Sequence, residues 1–188
     1  MTRILRLSFF CALGIACFVN EALPKVKEAQ QLKRKSDAAA QTNLKLRLLA
    51  SLPIGIKITH SPNPARARVG GRSGFKFIWP YATSVRAIIG SVRVEEFGAF
   101  AWENGRWVFS NYTGRPYTAT DFSDWYACPN ATLTPGRLCS DANNWSGRRT
   151  LERGKTRWYF IGVDAKGRRV KGEAVIQHLP EVNGQLTK

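Results

Sequence analysis

From Leu44 onward, apolar residues recur mostly at every second position, a period that predicts strands rather than helices. Leu44, Leu46 and Leu48 alternate with polar neighbours, and so do Ile54, Ile56 and Ile58. His60-Ser-Pro-Asn-Pro64 and Gly70-Gly71-Arg72-Ser73-Gly74 carry turn composition. Phe75, Phe77 and Trp79 share one strand face, which Pro80 is expected to end. Val85–Ile89 and Val92–Phe97 flank Gly90-Ser91, a two-residue hairpin signal.

The segment Phe100-Ala-Trp102-Glu103-Asn104-Gly105-Arg106-Trp107-Val-Phe109 has Asn-Gly at its centre. Both central positions of a type I′ turn need positive φ, which Asn and Gly tolerate. A two-residue turn then fixes the register. Glu103 faces Arg106, Trp102 faces Trp107, and Phe100 faces Phe109. Near the C-terminus, Thr156–Ala165 and Arg168–Gln177 predict a second hairpin around Ala165-Lys166-Gly167.

The N-terminal part has a different pattern. Arg3 and Arg6 precede Leu7–Val19, which carries no charge. A basic head and a short apolar run predict a signal peptide or signal-anchor over residues 1–22. The run is short for a membrane span of ~20 residues. Residues 23–43 are basic, polar and rich in helix formers, so a helical stalk is expected there. The β domain is expected over residues 44–179, with a polar tail at 180–188.

Residues 110–150 form a long insert with few periodic signals. Cys128 and Cys139 bracket its turn-rich centre, and the other two cysteines, Cys11 and Cys17, fall in the signal segment. One pair closing a short loop behind an export signal predicts a disulfide in an oxidising compartment. Asn111, Asn130 and Asn144 each begin an Asn-x-Ser/Thr sequon, so N-glycosylation is expected at these sites if the host glycosylates.

Composition adds charge. The 188 residues contain 29 Lys+Arg against 13 Asp+Glu, a formal net charge of +16. Arg148, Arg149, Arg153, Lys155, Arg157, Arg168, Arg169 and Lys171 concentrate that excess, which suggests an acidic polymer or lipid as a partner. The insert also carries Tyr117, Trp125, Tyr126 and Trp145, aromatic groups suited to a carbohydrate platform.

Catalytic chemistry is expected to be absent. No nucleophile elbow, phosphate-binding loop, dinucleotide fingerprint or zinc spacing occurs. His60 and His178 stand apart from any motif. Glu95 and Glu96 are neighbours on a strand and point to opposite faces, and Asp121 and Asp124 suit turn caps. No metal and no cofactor are expected.

Short strands, regular turn signals and no strong helix within the domain predict an antiparallel, mainly β sandwich. The pattern Leu151-Glu-Arg-Gly154-Lys-Thr156-Arg-Trp158-Tyr159-Phe-Ile161-Gly-Val163-Asp-Ala165-x-Gly167 resembles the F strand of fibronectin type III domains, with Arg153 where Pro is usual. Trp79 in Phe-x-Phe-Ile-Trp-Pro resembles that family's B-strand tryptophan. The resemblance implies an immunoglobulin-like sandwich that binds or spaces other proteins.

The expectation is therefore an exported or membrane-anchored, extracytoplasmic binding protein. Protein–protein contact within a surface, envelope or virion assembly is one reading. A carbohydrate- or polyanion-binding module is the other.

Overall fold

The computed structural model describes residues 22–70 and 74–182. Residues 1–21 of the signal segment expected over 1–22, and the last six residues of the expected tail, lie outside the described residues. The chain divides into two units, the first ending at Ala39 and the second beginning at Ala40.

Helix α1 spans Ala22–Ser51. Among the described residues, no helix is long and apolar enough to cross a membrane. The strand expected at Leu44, Leu46 and Leu48 is instead the last part of this helix. The segment Lys45-Leu-Arg-Leu-Leu-Ala50 has strong helix formers and no breaker before Pro53. Leu46 and Leu49 lie three apart and share a helix side, and Leu52 directly follows the helix. Leu49 is fully buried with Phe100, Tyr159 and Ile161, and Leu46, Leu48 and Leu52 pack around it. The β domain thus begins after Ser51.

Ten strands follow: β1 (Ile56–Ser61), β2 (Ala65–Val69), β3 (Phe77–Ala87), β4 (Val92–Glu103), β5 (Arg106–Phe109), β6 (Tyr117–Thr118), β7 (Thr132–Leu133), β8 (Cys139–Arg148), β9 (Gly154–Asp164) and β10 (Arg169–Val182). They form one hydrogen-bonded sheet whose path runs β1-β3-β2-β10-β9-β4-β5, with β8 also paired to β3 and with β6 and β7 paired to β4. Most pairs are antiparallel; β2 and β10 run parallel. The sheet folds over on itself. Trp79, Tyr81 and Val85 of β3 share a single buried cluster with Phe97 of β4, Trp158 and Phe160 of β9 and Ile176 of β10. A second apolar layer lies on the other face of β4 and β9, under the end of α1.

The hairpin around Asn104-Gly105 has the expected register at all four pairs. Asn104 and Gly105 have φ of 47° and 78°, as a type I′ turn demands. Trp102 and Trp107 meet edge to face at 5.0 Å, and Phe100 and Phe109 at 5.9 Å. Glu103 and Arg106 face each other without an ion pair within 4 Å. The β9–β10 hairpin also forms, with Gly167 at φ 76°. The Asp164 carboxylate accepts bonds from the backbone N–H groups of Lys166 and Arg168 and closes that turn.

Three expectations fail for identifiable reasons. Gly90 turns the chain at φ 104°, yet β3 and β4 do not pair. β3 is flanked by β1, β2 and β8, and β4 by β9 and β5–β7, so this turn crosses between the two wings. Pro80 does not end its strand. β2 pairs β3 only through Phe77 and Ile78, and β1 only from Ala82 onward. On that edge of β3 Pro80 thus falls in the gap between the partners, while on the other edge it stands opposite Trp145 of β8. The expected tail at 180–188 begins inside β10, which runs to Val182 and pairs with β2.

The insert at 110–150 holds more structure than its composition suggests. It contains β6, helix α2 (Ala119–Trp125), a 3-10 turn at Pro129–Ala131, β7 and the ten-residue β8. Cys128 and Cys139 form a disulfide that joins the approach to β7 to the start of β8.

Candidate ligand-binding cleft

Between the wings, the core thins toward one end. On β4 the interior positions pass from Phe97 to Ala99 and Ala101, and on β9 from Phe160 to Trp158 and Thr156. Opposite them, β8 presents Ser146 and Gly147. These small side chains leave an open cleft of about 730 Å³.

A hydrogen-bonded relay closes its floor. Trp158 Nε1 donates to the Tyr81 hydroxyl at 2.8 Å, that hydroxyl lies 3.0 Å from Ser146 Oγ, and Ser146 Oγ lies 3.2 Å from Thr156 Oγ1. Burial pushes the Tyr81 hydroxyl up to about 12, so it stays protonated. His178 also lines the cleft and is itself buried, stacked on Trp79 at 5.2 Å.

One wall is the segment after β5. Asn111 is buried, and its side chain accepts from Ala99 N–H at 2.7 Å while donating to Arg115 C=O at 2.8 Å. A Cβ at Gly98 would stand 2.8 Å from the Asn111 amide nitrogen, so this approach requires glycine there. The Tyr117 hydroxyl accepts from Tyr112 N–H at 3.2 Å. Helix α2 then starts in a capping box, with Thr118 and Asp121 exchanging side-chain and backbone bonds. Its last residue, Trp125, rests edge to face on Tyr117 at 4.6 Å and on Phe97 at 5.5 Å, yet keeps 43% of its surface exposed.

The other wall is β8. A Cβ at Gly147 would fall 2.6 Å from the Phe75 ring, so glycine lets Phe75 lie against the strand. Phe75 and Trp145 meet edge to face at 5.9 Å. The backbone of β8 at the cleft is partly satisfied by its own side chains. Asn143 N–H donates to Asp141 Oδ1 at 2.9 Å, and Trp145 N–H donates to Asn144 Oδ1 at 2.8 Å.

The charges lining the cleft are Glu103, Asp141 and Glu152 against Arg148 and Arg149. Arg148 is paired with Glu152 at 3.0 Å. Burial raises the Asp141 pKa, opposed by the bond from Asn143 N–H. In a chain of net charge +16, the cleft carries more carboxylates than guanidinium groups.

The residues singled out in the sequence separate accordingly. Tyr117, Trp125 and Trp145 line the one cleft. Tyr126 does not: it is fully buried and stacked on Phe122 at 4.7 Å, so it belongs to the core.

Of the basic residues, Arg148 and Arg149 line the cleft, and Arg153 is exposed. The others are dispersed and largely partnered. Arg157 and Lys171 both pair with Glu173, Arg168 with Asp164, and Arg169 with Glu95. Lys155 sits 4.0 Å over the Trp102 ring. They do not form one unpaired basic surface.

Of the sequons, Asn130 is exposed, whereas Asn111 and Asn144 are buried with their amide nitrogens bonded to Arg115 C=O and Thr83 Oγ1. A glycan on either would have to break that bond. Among the described residues, no group of three His, Cys, Asp or Glu could hold a metal.

The alternating pattern puts Phe75 on a strand face, whereas β3 begins only at Phe77, and nothing local marks Phe75 or Glu103 as lining a cleft. Asp141 and Asn143 carry no local signal, because β8 is a strand built from polar and turn-forming residues. No protein family, no curated protein and no solved structure matches this chain.

Proposed function

We propose that this chain is an exported, non-enzymatic binding protein whose cleft holds carbohydrate. The observation that carries this reading is Trp125. It contacts Tyr117 and Phe97 yet keeps 43% of its surface exposed, at the edge of a cleft that also contains Trp145 and Phe75. A sugar ring has an apolar face that stacks on an aromatic plane and hydroxyls that need both donors and acceptors. Asn143, Ser146 and Asp141 supply both kinds of group beside the rings. The partnering of the basic residues favours a sugar over a polyanion, because salt-bridged cations have less to offer an acidic polymer.

Export is part of the same proposal. It rests on the basic-then-apolar pattern of residues 1–22 and on the disulfide. The immunoglobulin-like assignment of the sandwich rests on the β9 pattern and on Trp79 and Trp158, both of them core residues.

The test is binding of the full chain to a panel of immobilised glycans. Trp125→Ala should weaken retention by about tenfold or more, as loss of an aromatic anchor does, measured at a temperature where the variant remains folded. Unchanged retention in that variant would remove the cleft from the account.

A second reading, protein–protein contact, has its own support. Ile54, Ile88 and Ile89 are all exposed, and the Ile88 N–H to Gly55 C=O bond brings the two segments together. Such a contiguous apolar patch suits a protein partner.

A further inference from the structure

We infer that the cleft takes an extended chain of linked, uncharged sugar rings rather than a single sugar. This rests on the carbohydrate reading above and specifies it. The lining of the cleft follows β8 from Asp141 to Arg148. A bulge interrupts β8 there, and the β3 stretch it pairs, Phe77 to Thr83, covers six strand steps, about 20 Å, far more than one pyranose ring.

The aromatic groups of the cleft fall into two clusters. Tyr117 and Trp125 form one cluster, in contact with each other and with Phe97. Phe75 and Trp145 form another, set against Gly147. Amide, hydroxyl and carboxyl groups of Asn143, Ser146 and Asp141 stand along the same cleft. Two stacking sites joined by hydrogen-bonding groups fit a polymer with a repeating apolar face.

Two features argue for this occupant over others. An extended peptide would gain its affinity by pairing with the strand edge. The N–H groups of Asn143 and Trp145 are already taken by the side chains of Asp141 and Asn144, which blunts that edge. An acidic polymer would meet three carboxylates against two guanidinium groups, one of these already paired. An uncharged chain meets neither obstacle.

The probes are β-linked glucose oligomers and β-linked N-acetylglucosamine oligomers of one to six units, titrated into the full chain by calorimetry. Affinity for one of the two series should rise by about tenfold or more from two units to six, as the second stacking site engages. It should change little between about 0.05 and 0.5 M salt, because no released counterions are involved. Phe75→Ala should abolish most of the length dependence, read as the ratio of six-unit to two-unit affinity.

Equal affinity for short and long oligomers would overturn this inference and leave the carbohydrate reading standing. So would tight binding confined to sulfated or carboxylated oligomers with steep salt dependence. Failure of every oligomer and every immobilised glycan to bind would overturn both.

Discussion

Individual side chains set the character of the interior, and the two histidines show how. His60 and His178 are both enclosed, His60 with Nδ1 3.0 Å from Thr83 Oγ1 and His178 against Trp79. Burial lowers each pKa to about 4, and Arg148 and His60 add repulsion at His178. Both are neutral near pH 7. An unfolded histidine takes its proton near pH 6.5. The unfolded chain therefore binds more protons between pH 6.5 and 4, and stability falls as pH falls through that window. Each group accounts for up to about 3 kcal/mol, as an upper bound. Urea unfolding at pH 7 and pH 4.5 should show this loss. His178→Gln should flatten the slope even if it lowers stability at pH 7, and an unchanged slope in both His178→Gln and His60→Gln would place the acid sensitivity elsewhere. The sequence showed these residues only as isolated histidines, since nothing local marks burial between distant strands.

At the scale of elements, local signals and tertiary context divide the account. The Asn104-Gly105 hairpin was readable because its turn chemistry and its cross-strand pairs agree. The end of α1 was not, because Leu44, Leu46 and Leu48 satisfy a two-residue period as well as a helical surface. What decides is the apolar outer face of β4 and β9, which Leu49 covers. Leu49→Ala should cost about 2–5 kcal/mol, the range for a fully buried leucine. Chemical denaturation measures it, and a cost below about 1 kcal/mol would mean that this helix end does not cap the sheet. β8 was missed for the opposite reason. Its sequence Cys-Ser-Asp-Ala-Asn-Asn-Trp-Ser-Gly-Arg has little strand propensity. It is held by pairing with β3 and by the disulfide at its start, two long-range constraints. That weak propensity comes with the polar groups and the Gly147 seat that shape the cleft wall.

For the whole molecule, mainly β architecture and the disulfide pair were legible from period and cysteine spacing. The fold-over of one ten-stranded sheet was not, because alternation marks a strand without naming its partner. The cleft follows from that fold-over. Tyr117, Trp125 and Trp145 were candidates scattered through an insert, and the fold brings them to the lining of one cleft with Ala99 and Thr156. The basic run is dispersed in the same way, with Arg157 and Arg169 paired to carboxylates on other strands and Lys171 to Glu173 of its own strand.

The most direct test of the central claim follows the indole N–H resonances of the six tryptophans during titration with the oligosaccharide that binds in calorimetry. The account predicts that the Trp125 and Trp145 signals shift in a saturable way, while those of Trp79, buried with its indole N–H bonded to Leu179 C=O, and of Trp107 on the hairpin stay in place. Saturable shifts confined to Trp107 and Trp102, with Trp125 and Trp145 unmoved, would contradict it.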